Sequence, residues 1–198
     1  MSMPTPEPLS MLELNWLPAL YAHPAHWGAL AHLRPAQPAR SQRIVLRVSA
    51  ALVAQARLAA QHAAHAPGWL RLQAAPFCAL AQRLGQVALA ERVRHALDRR
   101  AVLLSIELLG PRVREQAYDD ARSWPALGVL VGAAEPLPAD REALAAVGGC
   151  VMAALLEPEQ SGLGERLRLR FGPGLVSPRT LGAAARTEAQ AFLQAGCA

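Results

Sequence analysis

Six histidines and three cysteines are the residues of this chain whose types best suit metal or nucleophile chemistry. His23 with His26, and His62 with His65, stand at i, i+3, a helical spacing that puts imidazoles on one face as a zinc site requires. Neither pair has a Glu, Asp or Cys in ligand spacing, and Pro24 splits the first. Packed or solvent-facing histidines are therefore expected, and no metal. Cys78 could act as a nucleophile if His95 drew off its proton. Its place beside Phe77 and Leu80 predicts instead a small buried apolar residue.

Glu115, Asp119 and Asp120 form an acidic cluster, but Arg112, Arg114 and Arg122 surround it, so local ion pairs on an exposed helix are expected. Gly162-Leu163-Gly164 and Gly172-Pro173-Gly174 lack the G-x-G-x-x-G pattern that cradles a dinucleotide and read as turns. Arg92, Arg94, Arg99 and Arg100 are the densest basic group, able to grip an acidic partner through forked hydrogen bonds. Solvation of a helix surface is the alternative for them. No catalytic residue and no cofactor is expected.

The chain contains no lysine, so all 20 of its Lys-plus-Arg positions are arginine. Mechanisms built on a phosphate-binding or Schiff-base lysine are thereby excluded. Acid–base, cysteine and metal hydrolysis remain open on that ground alone. A formal charge of +5 makes nucleic acid or an acidic protein surface the partners to weigh. The arginines are scattered singly or in pairs, without interleaved aromatics for base stacking, which favours a solvated helical face.

The elements that must position these residues read as helices. The 198 residues are 53% hydrophobic but only 5% aromatic, which predicts closely packed helices with a core of Leu, Val and Ala. Asn15 is expected to cap a short helix through Tyr21, broken at Pro24 and resumed by Trp27, Leu30 and Leu33. Ser41 is expected to cap a long helix to about His65, stopped at Pro67-Gly68, with a strand at 43–48 as the competing reading.

Phe77, Leu80, Leu84, Val87, Val93 and Leu97 form the clearest apolar stripe, with Gly85 marking a break or a close crossing. Asp98 caps a helix over 99–109, Gly110-Pro111 separates it from another through Ala121, and Pro138 and Asp140 start one that Glu157-Pro158 ends. Arg166–Phe171 alternates strictly, with Leu167, Leu169 and Phe171 on one side and Arg166, Arg168 and Arg170 on the other, which is a strand signal with a short helix as the alternative. Ser177-Pro178 begins a last helix ending near Gly196.

The fold class is thus mainly α, a single multi-helix domain over 11–198, with a possible short β segment at 166–171. Residues 1–10 read as a disordered leader or cloning remnant, with Met11 a plausible start. They lack the basic n-region of a secretory signal. Cysteines that are odd in number and without C-x-x-C spacing predict reduced thiols in a reducing compartment.

Pro18-Ala19-Leu20-Tyr21-Ala22-His23 resembles the opening signature of the SctK (YscK/PscK) family of type III secretion accessory proteins. Arg83-Leu84-Gly85-x-Val87, with Glu91, Val93, Arg94 and Leu97, is similar to that family's central helical block. Glu157-Pro158 followed by Arg166-Leu167-x-Leu169-Arg170 resembles its C-terminal block.

The three blocks keep their order and span most of the chain, while 43–72 and 124–147 match less well. The resemblance implies a non-enzymatic adaptor of the cytoplasmic sorting platform, at the cytoplasmic face of the bacterial inner membrane. It would join the cytoplasmic domain of the inner-membrane ring protein SctD to the pod protein SctQ, reaching the membrane only through partners and needing no cofactor. Aromatics and arginines are enriched at interface hot spots, so Tyr21, Trp27, Arg92, Arg94, Arg99 and Arg100 are the candidate contact residues. A basic helical nucleic-acid-binding protein, using the helix–Gly-Pro–helix element at 103–121, is the alternative.

Overall fold

Helix-forming alanines and leucines dominate the chain, and the computed structural model is helical wherever it has regular structure among the described residues. Those residues are 7–33, 42–55, 66–96, 98–132, 135–156, 161–173, 176 and 180–197. His62 and His65, Ser41, Leu97, Glu157-Pro158 and Ser177-Pro178 lie outside them. The chain divides into two units, the first Met1–Phe77 with Leu156–Leu175, the second Cys78–Leu155 with Val176–Ala198.

In the first unit, α1 (Met11–Trp16) is started by Ser10, not Asn15: the Ser10 side chain accepts from the Glu13 amide while Glu13 reaches back to the Ser10 amide. This reciprocal box satisfies two otherwise orphaned donors. Of residues 1–10, only 7–10 are among those described. Leu9 is buried and donates its amide to the Arg71 carbonyl at 2.6 Å, and Arg71 Nε returns a bond to the Leu9 carbonyl at 3.0 Å.

Short 3-10 turns follow at Pro18–Leu20 and over Pro24–Leu33, the latter interrupted at Gly28. Helix α2 (Gln42–Gln55) occupies the stretch where a strand competed, and buries Val48, Ser49 and Leu52. Phe77, near the start of α3 (Ala74–Ala88), meets Phe171 edge-on with ring centroids 5.7 Å apart.

Of the two readings at 166–171, the structure takes the helix and not the β segment. Helix α9 (Ser161–Arg168) runs through its first half, and the backbone then tightens, Arg170 and Phe171 each donating to the carbonyl three residues back. Gly162 and Gly164 lie inside this helix rather than in a turn. Leu163 and Leu167 are buried one helical turn apart, while Leu169 and Phe171, past the helix end, are buried by the turn that follows.

In the second unit α3 continues to Ala88, followed by α4 (Ala90–Arg94), α5 (Arg99–Leu109), α6 (Val113–Ser123), α7 (Pro125–Gly128), α8 (Arg141–Leu155) and α10 (Ala183–Ala195). Asp98 caps α5 through the Ala101 amide at 3.0 Å and Asp140 caps α8 through the Ala143 amide at 2.8 Å, as their sequence positions predict. The last helix starts later than expected, with Gly182 at its N-cap.

Gly85 is a close crossing rather than a break: a Cβ there would collide with the Leu144 carbonyl oxygen, and one at Gly148 with that of Ala81. Helices α3 and α8 therefore touch backbone to backbone through a glycine on each. Glu188 of α10 accepts from the Ala126 and Leu127 amides at 3.0 and 2.9 Å, capping α7 from a distant part of the chain.

Candidate functional site

Among the described residues, His23, His26 and His95 are engaged in the fold. His23 Nδ1 accepts from the Ala25 amide at 3.3 Å, and His26 Nε2 donates to the Phe171 carbonyl at 2.7 Å. His95 pairs with Glu91 at 2.9 Å. Cys78 is exposed, contrary to its expected burial, because α3 turns Phe77, Leu80, Ala81 and Leu84 inward and leaves it outside that stripe.

Its neighbours are Gln82, whose amide donates to Sγ at 3.5 Å, and Glu142. Partial burial and that carboxylate push the Cys78 thiol up, opposite to what a nucleophile needs. Among the described residues no cluster of three His, Cys, Asp or Glu side chains could hold a metal ion.

The acidic cluster is also used differently from its sequence reading. Asp120 is buried and takes a forked pair of hydrogen bonds, both 2.5 Å, from Arg83 of α3 rather than from an arginine on its own helix. Arg114 donates instead to the Ala96 carbonyl at 2.7 Å. Glu115 and Asp119 remain exposed.

The first unit holds an arrangement that the alternating pattern concealed. Arg166 and Arg170, which the alternation sets opposite the apolar residues, are 0% and 7% exposed. Arg166 donates from Nη1 to the Gly162 carbonyl at 2.7 Å and from Nε to the Leu14 carbonyl at 3.3 Å. The Tyr21 hydroxyl donates to that same Leu14 oxygen at 2.9 Å.

Arg170 reaches the Leu70 carbonyl at 2.6 Å, and its guanidinium carbon lies 4.8 Å from the Tyr21 ring centroid and 4.3 Å from that of Phe77. Two aromatic faces thus offset part of the cost of burying the cation. Arg170 Nε and Nη1 have no hydrogen-bond partner among the described residues. Desolvation lowers the Arg170 pKa to about 10 and raises that of Tyr21 to about 12. Arg166 and Arg170 share the i, i+4 spacing of one helical face, the one signal in the sequence that could have revealed this.

The six candidate contact residues consequently separate. Tyr21 and Trp27 are 3% and 8% exposed, core residues of the first unit rather than surface contacts. In the second unit Arg92 is half-buried and donates to the Glu135 carbonyl at 3.0 Å, and Arg94 pairs with Glu91 at 3.1 Å and lies over the Tyr118 ring. Arg99 and Arg100 are exposed on the first turn of α5 and have no ion-pair partner among the described residues.

They border an open groove of about 720 Å³ that is also lined by Leu103, Leu104, Glu107 and Leu137. Leu103 is 55% exposed and Ile106 on the same helix 39%. Cationic groups beside uncovered leucine suit a docking surface better than a reaction centre.

The fold defines an all-α protein, and among its described residues no helix is long and apolar enough to cross a membrane. Comparison with family models, curated proteins and solved structures gives no match to this chain.

Proposed function

We propose that the protein is a non-enzymatic adaptor of the SctK kind, joining the cytoplasmic domain of SctD to SctQ at the cytoplasmic face of the bacterial inner membrane. The observation that carries the reading is the use the fold makes of the motif residues. The block at 18–23 and the block at 166–170 meet within one unit: the His23 amide donates to the Leu169 carbonyl at 2.6 Å, and the Tyr21 ring lies against Arg170.

The central block supplies Arg83, which grips Asp120, and Gly85, which lets α8 approach. That the quoted residues are used together by the fold supports the reading. Exposed Leu103, Ile106 and Tyr118, with Arg99 and Arg100, supply surface of the kind an adaptor needs.

Calorimetry with the purified SctD domain and with SctQ, each titrated separately into the full chain, is expected to show saturable binding to both. Absence of binding to either partner would sink the proposal. The competing reading, a nucleic-acid-binding protein, rests on the net charge of +5 and the helix–Gly-Pro–helix element at 103–121.

A further inference from the structure

The geometry points to the groove along α5 as the docking site for one amphipathic, acidic segment of a partner protein. That segment would bring leucine-sized side chains to Leu103, Leu104 and Leu137 and carboxylates to Arg99 and Arg100. The inference rests on the adaptor reading for the occupant being a protein; the rest follows from the groove itself.

Its two arginines occupy the first turn of a helix, the positive end of the helix dipole, where cations are disfavoured by roughly 0.3–1 kcal/mol each. Asp98 lies beside them but is engaged in capping the Ala101 amide. They therefore contribute nothing evident to the stability of α5 and stand ready for carboxylates from outside, which both guanidinium forks and the helix end would favour.

The far end of the groove carries Glu107, seven residues and roughly 10 Å further along the axis. Cation at one end and anion at the other give the occupant a direction, its acidic end over Arg99 and Arg100. Between them the walls are apolar and Leu103 is more than half uncovered, at 55%. An acidic amphipathic helix fits such a surface through anchors at helical spacing. Nucleic acid fits it poorly, because the walls between the charged ends are leucine and alanine and the lining carries no aromatic ring on which a base could stack.

The test uses the full chain and fluorescein-labelled peptides of roughly three helical turns. They carry leucines at i, i+4 and either glutamates or lysines at one end, and a single-stranded oligonucleotide of similar length serves as a further probe. Anisotropy is expected to show binding of the glutamate peptide, weakened about tenfold by R99E/R100E, the scale of a few charge pairs at a partly covered surface. The same double variant should gain affinity for the lysine peptide, and L103D should abolish binding of both.

All three side chains are exposed, so circular dichroism of the variants should match the parent. Equal binding of the two peptides, or no response to the charge reversal, would overturn the inference. Displacement of the peptide by the oligonucleotide would overturn it in favour of nucleic acid. Self-association removed by L103D, without peptide binding, would overturn it in favour of a second copy of the chain. If the peptides behave as expected but neither SctD nor SctQ binds, the groove stands and the adaptor assignment falls.

Discussion

The Tyr21 hydroxyl, buried and bonded to the Leu14 carbonyl, holds its proton up to a pKa of about 12, against 10.0 for an ordinary tyrosine. Between those values the unfolded chain releases this proton while the folded chain keeps it. Tyr21 therefore contributes stability that is fully present below pH 10 and is lost as pH rises through about 12. Urea unfolding of the parent and Tyr21→Phe across that window should show a steeper alkaline loss in the parent. At neutral pH Tyr21→Phe should cost about 1 kcal/mol or less, because Arg166 Nε still donates to the Leu14 oxygen.

Arg83 gives a second test at this scale. Arg83→Gln leaves the Asp120 carboxylate buried without its forked donor, and a loss of about 2 kcal/mol in urea unfolding is expected. Asp120→Asn should cost less, since Arg83 is more exposed than Asp120, 37% against 7%, and can turn to water.

At the scale of elements, the crossing of α3 and α8 depends on Gly85 and Gly148, where each missing Cβ leaves room for a backbone carbonyl of the other helix. Gly148→Ala should destabilise by about 3 kcal/mol, at the upper end of overpacking, because the clash is with backbone and not with a side chain that can swing away. A denaturant midpoint unchanged from the parent would show that the helices can part at little cost.

The apolar stripe from Phe77, the caps at Asp98 and Asp140 and the Gly110-Pro111 stop were all legible, because each is local chemistry acting within one turn. The turn at 166–171 was not. Leu167 fits period two with Leu169 and period 3.6 with Leu163, and only the partners of Arg166 and Arg170 distinguish the two.

For the whole molecule, a charge of +5 spread over helices predicts only weak attraction to polyanions. Retention of single-stranded DNA at low ionic strength should vanish by physiological salt, whereas partner binding through the α5 groove, part apolar, should persist. Retention that survives at physiological salt would favour the nucleic-acid reading.

The residue types alone determined that the protein is helical and that lysine chemistry is excluded, since propensity, capping and the presence of a functional group are properties of the local chain. Which arginines are free was decided only by tertiary structure. Arg166 and Arg170 are buried, Arg92 and Arg94 are engaged within their own unit, and Arg99 and Arg100 are left in the open. A guanidinium's role depends on which carbonyls, rings and carboxylates reach it from elsewhere in the chain, and sequence separations of up to 152 residues, as between Arg166 and Leu14, carry no local signal.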